Sequence, residues 1–238
     1  MSGMPDDDSV VPSYPIAPTA FLRSPVGLSR AVIVLLGVVI AADLFSLWAG
    51  FSLYGLVDSV DSNAVNDAYD LYALSASPQF TALVVTGVVF IIWFRRVRIN
   101  AEVFAPEYHR LRRGWAVWGW LCPVVNFWFP RRVALDTWNA SELADAKARG
   151  TGIVNAWWTA WLAGWFCNEI AGRMYARADG VDVAEMRTAL QVMTVSDVLD
   201  IAGAVLAMLF VYRLTCMQKE KALAGPTTPP FVPNLPAL

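Results

Sequence analysis

Gly114-Trp-Ala-Val-Trp-Gly-Trp-Leu-Cys-Pro123-Val-Val-Asn126-Phe-Trp-Phe129 is the stretch whose reading decides the architecture. It is apolar, yet it falls short of the about 20 residues that a helix needs to cross a bilayer. Pro123 removes a helical N–H and crowds the preceding turn, Asn126 follows it, and Pro130 closes the stretch. Whether this segment crosses a membrane or turns back fixes the side on which every later residue lies.

Working outward, the whole chain is rich in apolar residues. Of its 238 residues 57% are hydrophobic and 16% are charged, and eleven are Trp. A soluble domain carries about 25% charged residues, so this composition is that of a membrane protein. A net charge of −2 excludes a basic nucleic-acid-binding domain. The apolar content excludes a disordered chain, and three cysteines exclude a disulfide-rich module.

Four stretches are long enough to span, at about 28–57, 80–97, 153–175 and 190–212. Backbone groups in hydrocarbon must bond internally, so all four are expected to be helices. The loop after the first holds Asp58, Asp61, Asp67 and Asp70 and no Lys or Arg, whereas Arg95 to Arg113 holds six Arg. Basic loops stay in the cytoplasm, so the first helix runs outward and the second returns. Arg213, Lys219 and Lys221 keep the C-terminal flank inside, and Arg131, Arg132, Lys147 and Arg149 do the same for residues 130–152. Residues 114–129 then enter and leave on the cytoplasmic side, which puts fifteen of the eighteen basic residues inside.

The expected fold is therefore all-α: a bundle of four transmembrane helices in the cell membrane with both termini cytoplasmic. To it are added a re-entrant or interfacial segment at 114–129 and an amphipathic surface helix at 131–148. On that helix Val133, Trp138 and Leu143 would dip into the headgroups while Arg131, Arg132, Glu142 and Lys147 stay wet. Residues 1–27, with Asp6 to Asp8 and Pro12, Pro15, Pro18 and Pro25, read as a disordered tail. Their length and acidity do not fit a cleaved signal peptide. Residues 222–238 read as a second Pro-rich tail.

Four pieces in order resemble the actinobacterial multi-pass membrane family named domain of unknown function 4328. They are Trp93-Phe-Arg-Arg-Val-Arg-Ile-Asn100-Ala-Glu102, the Trp115, Pro123, Asn126, Pro130 string that follows Arg113, Trp138 with its flank, and Arg213-Leu-Thr215-Cys-Met-Gln218. The resemblance covers roughly residues 28–221 and implies a multi-pass membrane protein. It implies no activity and no catalytic residue.

Two features invite chemistry. In the broken segment, backbone carbonyls freed near Leu121–Asn126 could line a polar cavity, as broken helices do in transporters. The plainer alternative is a wedge anchored at the inner headgroups by Trp115, Trp118, Trp120 and Trp128. The second feature is a set of intramembrane charges: Asp43 in the first span, Glu169 and Arg173 in the third, Asp197 and Asp200 in the fourth. Such groups are costly in lipid and turn inward to partners. Helix polarity puts the last four in the outer half, where they could meet, with Asp43 deeper. The set is either a proton or cation site or a polar clamp that fixes helix register.

Enzyme templates fit poorly. His109 is the only histidine, and no G-x-S-x-G occurs, so a Ser–His triad has no support. Cys122, Cys167 and Cys216 are not spaced as a metal clip. Asp200 follows Asp-Val-Leu rather than the Gly-x-Gly of intramembrane aspartyl proteases, and the Asp/Gly/Arg string of CDP-alcohol phosphotransferases is absent. The reading is a non-enzymatic integral membrane component without cofactor or metal. Its expected partners are membrane lipids, a membrane-protein partner or a second copy of itself, and not nucleic acid. The alternative is a small proton- or cation-coupled transporter built on the acidic set.

Overall fold

The computed structural model describes residues 22–143, 150–178 and 182–225. Among them the chain forms six α-helices and no strand: α1 (Val26–Leu56), α2 (Ser62–Phe104), α3 (Trp115–Leu121), α4 (Phe129–Ala140), α5 (Gly152–Ala178) and α6 (Val183–Ala224). Short 3₁₀ turns occupy Pro106–Tyr108 and Val125–Phe127.

α1 shows why these helices pair as they do. Its buried residues, Ser29, Val32, Leu36, Val39, Asp43, Ser46, Ala49 and Leu53, recur at three- and four-residue steps and form one seam. The opposite side exposes Val34, Val38, Leu44, Trp48 and Phe51. A helix that is apolar inside and outside suits lipid rather than water as its solvent. Three helices, α1, α2 and α6, are long and apolar enough to cross a membrane. The third expected span coincides with α5, whose 27 residues reach about 40 Å at 1.5 Å per residue, but α5 is not one of these three.

The helices form a ring. α1 packs along α2 and α6, α6 packs along α5, and the α3–α4 hairpin fills the gap between α2 and α5. Trp120 is the wedge: it meets Phe90 and Phe94 of α2 edge-on and lies among Trp157, Trp158 and Trp161 of α5. Both flanks of the hairpin meet the same end of the bundle. Arg98 Nη2 donates to the Leu111 carbonyl at 2.9 Å, and Gln218 Nε2 donates to Ser141 Oγ at 3.2 Å. The turn between α3 and α4 points the other way. Phe127 reaches Trp165 and Phe166, about 20 Å along α5 from Gly152 at 1.5 Å per residue.

Several sequence expectations are corrected. The acidic stretch after α1 was expected to be a loop to Ser75, yet α2 begins at Ser62, where Asp61 caps it by accepting from Asn63 N and Ala64 N. α6 likewise begins at Val183, behind an Asp182 cap, rather than at Leu190. These helix starts bury Ala68, Tyr72, Met186, Ala189 and Leu190 against Leu53, a second core that outlasts the apolar spans. α4 is not a surface helix. Val133 and Trp138 are each 1% exposed, inside the main core, and Trp138 stacks on Phe210 rather than dipping into headgroups. α4 ends at Ala140, and the remaining expected turn at 144–148 lies outside the described residues. Of the two expected tails, 1–21 and 226–238 also lie outside them; Leu22–Pro25 is ordered ahead of α1, and α6 runs on to Ala224.

Candidate functional site

The expected polar set resolves into two separate groups. Asp43 sits on the α1 seam, 1% exposed, and Asp197 sits on α6, 8% exposed. Gln79 of α2 joins them: its Nε2 donates to Asp43 Oδ1 at 2.8 Å and to Asp197 Oδ1 at 3.2 Å. Ser46, one turn along α1 from Asp43, also hydrogen-bonds Asp197. Asp43 Oδ2 is buried with no partner among the described residues. One turn along α6 toward its N-terminus from Asp197, Met193 Sδ accepts from Tyr72 Oη at 2.7 Å.

Asp200 is half-buried on the side of α6 that faces α5. Its carboxylate rests on Gly164, where any β-carbon would collide with it. Three helices thus supply the amide and the carboxylates, and α5 supplies a notch. Glu169 and Arg173 do not join this group. They pair with each other at 3.3 Å on the outer side of α5, with side chains 48% and 74% exposed. The acidic set is consequently a three-helix contact among Asp43, Gln79 and Asp197 with Asp200 beside it, rather than a four-charge meeting point. No group of three or more His, Cys, Asp or Glu among the described residues is arranged to hold a metal ion.

At the other end the motif residues come together as a knot. Trp93 Nε1 donates to Thr215 Oγ1 at 3.2 Å. Asn100 Oδ1 accepts from Arg23 N at 3.1 Å, while its Nδ2 donates to Arg23 O at 2.8 Å and to Gln218 Oε1 at 3.1 Å. Gln218 Nε2 closes the circle on Val97 O at 2.7 Å. Glu102 pairs with both Arg98 and Arg113, and Lys221 Nζ caps α4 through the carbonyls of Ala140 and Glu142 at 2.9 and 2.6 Å. The contacts of Trp93, Asn100 and Gln218 satisfy buried polar groups that would otherwise cost stability. Beside Arg98, burial and the neighbouring guanidinium push the His109 imidazole below its ordinary value of 6.5. Arg213 stays exposed outside the knot.

The broken segment holds the rest of the motif. Trp115 meets Phe129 edge-on at 4.7 Å, and Pro130 is buried against Gly119. Pro123 is exposed at the turn. Two of the carbonyls expected to open a cavity are used locally: Cys122 O accepts from Asn126 N at 3.0 Å, and Val125 O accepts from Trp128 N at 3.1 Å. Asn126 Oδ1 is buried without a partner among the described residues.

Sequence reasoning missed Gln79, Ser46 and Gly164 in the first group and Ser141 and Lys221 in the knot. Gln79 stands one residue before the apolar window of the second span, directly after Pro78. A lone amide at a span boundary was the available signal.

The match to the family described as domain of unknown function (DUF4328) covers residues 56–216, more than half of the chain. It takes in α2 to α5 and most of α6, and leaves out α1 with Asp43. No curated protein and no solved structure matches the chain.

Proposed function

From the premise that this chain belongs to the DUF4328 family, we propose that it is a non-enzymatic integral component of the cell membrane that binds anionic lipid through the α3–α4 hairpin. In this reading α1, α2, α5 and α6 are the four crossings, the hairpin re-enters from the cytoplasm, and both termini are cytoplasmic. The observation that carries it is the outer edge of the hairpin. Trp118, Leu121, Val124 and Trp128 are 60%, 59%, 69% and 48% exposed there. Arg112, Arg113 and Arg132 are exposed on the same hairpin and its flanks. Apolar rings beside guanidinium groups suit acyl chains beside phosphate headgroups.

The test is tryptophan quenching in vesicles of phosphatidylcholine and phosphatidylglycerol with brominated acyl chains. Replacing Trp118 and Trp128 together by Phe removes a large share of the quenching, and the share grows with phosphatidylglycerol. Quenching that the double variant leaves unchanged sinks the lipid reading. Reporters inserted after Glu107 and after Glu142 read the re-entry, which requires both on the cytoplasmic side.

A carrier is the second reading, favoured by the bare Asp43 Oδ2 beside Asp197 and Asp200. It requires pH-gradient-driven uptake by reconstituted vesicles that Asp197→Asn abolishes. Direct bridging by Gln79 in a buried contact supports the clamp instead, in which the carboxylates fix the register of α1, α2 and α6. Turnover of a lipid or peptide, lost in Asp43→Asn, would remove the non-enzymatic reading.

A further inference from the structure

We propose that the outer side of α5 is a self-complementary interface through which two copies of this chain pair in the membrane. α5 uses one side against α6, where Gly203 approaches the backbone of Ala160 and Trp161 and Gly164 receives Asp200. The other side carries Asn168, Glu169, Gly172, Arg173 and Ala176, all exposed. At 100° per residue these five fall on one continuous arc. The remaining long helices turn Val34, Val84, Val88 or Val205 outward. An amide and two charges facing lipid are costly.

The occupant follows from two features of this arc. One is charge: it carries one Glu and one Arg a single turn apart. A twofold axis along the membrane normal beside α5 sets like residues of the two copies at one depth, so Glu169 of one copy reaches diagonally, one turn along, to Arg173 of the other, and the reverse pair forms by symmetry. The existing contact leaves capacity for this, since Arg173 reaches Glu169 through Nη2 alone, at 3.3 Å, and a guanidinium has five donors. The other feature is room. A β-carbon on Gly172 would meet nothing within 4 Å, and Ala176 stands one turn on, so the arc has the small-xxx-small spacing that lets two helix backbones approach. A lipid phosphate answers Arg173 but repels Glu169, and an uncharged helix answers neither. A second copy answers both.

This inference rests on α5 crossing the bilayer, which reporters after Leu143 and at Asp182 read independently: they fall on opposite sides if it does. The test of pairing is the mass of the full chain in lipid nanodiscs by mass photometry, with subunit counting by single-molecule photobleaching. The wild type is expected as a dimer. Glu169→Arg and Arg173→Glu each weaken pairing about ten-fold or more, as like charges then face each other, and the double exchange restores it. Gly172→Leu weakens it through bulk alone. All these positions are exposed, so the thermal melt of each variant should match the wild type. A monomeric wild type, or a double exchange that melts normally and stays monomeric, overturns the proposal. So do charge variants that change only the bound lipid and leave the mass at two copies.

Discussion

Gln79 gives both hydrogens of one amide to two carboxylates on two other helices. Removing it strips the donor from two buried acceptors at once, and a buried acceptor left without its donor costs about 1–3 kcal/mol. Gln79→Leu is therefore expected to lower stability by about 2 kcal/mol, read as a lower melting temperature in detergent. Gln79→Glu, which adds a third carboxylate to the contact, should be worse. Gly164 is the counterpart on α5. Gly164→Ala drives a methyl into the Asp200 carboxylate, and Asp200→Ala in the same chain should relieve most of the loss. An additive double variant would mean that the two residues do not touch. His109 adds a dependence on pH. Its imidazole is held below 6.5 by burial and by Arg98, so as pH falls the unfolded chain takes a proton before the folded one does. Its stabilising contribution is complete above 6.5 and is lost on acidification below it. The melting temperature should fall between neutral pH and the acid side of that value, and His109→Gln should flatten the slope. Of these residues the sequence marked Asp43, Asp197 and Asp200 by their cost in lipid. It did not mark Gln79, because a neutral amide outside an apolar window raises no alarm until its partners on other helices are known.

Among the elements, α2 teaches most about boundaries. Hydropathy marks the part of a helix that needs lipid, not the part that is helical. The turns from Ser62 to Gln79 are polar on one side and bury Ala68, Tyr72 and Ser75 on the other, which makes them an ordinary amphipathic helix grafted onto a span. Asp61 starts it, so Asp61→Ala should cost about 1 kcal/mol and fray the first turn, visible as faster amide exchange at Asn63 and Ala64. α4 went astray for a related reason. An apolar stripe of Val133 and Trp138 with Arg132 opposite is the pattern of a helix lying on a membrane and equally that of a helix lying on a protein. Only the neighbours decide, and here Phe210 takes the place of lipid. The α3–α4 turn was legible from Pro123 and Pro130, whereas the local use of the freed carbonyls was not. Hydrogen bonds from Asn126 N to Cys122 O depend on torsions that no spacing of residues encodes.

For the molecule as a whole, Trp120 helps to close the ring between α2 and α5, beside the direct contact of Phe90 with Trp157 at 5.7 Å. Truncation of such a ring typically costs about 3–5 kcal/mol, so Trp120→Ala should lower the melting point more than any substitution above. It should also expose the hairpin to protease, while Trp120→Phe keeps most of the wedge and costs less. If Trp120→Ala melts like the wild type, the hairpin is an accessory rather than a wall of the ring. The all-helical class was legible, because composition constrains it, whereas the meeting of the motif residues across α2, α4 and α6 was not. The α1–α2–α6–α5 order around the ring was not, since nothing in one chain states which seam meets which.

The Trp120 wedge and the Asn100–Gln218 circle lie toward the same end of bars about 65 Å long at 1.5 Å per residue, for α2 and α6 have 43 and 42 residues. A frame clamped at its foot and held at its head by the second core, where Tyr72 and Tyr175 are 5.5 Å apart, resists splaying at both ends.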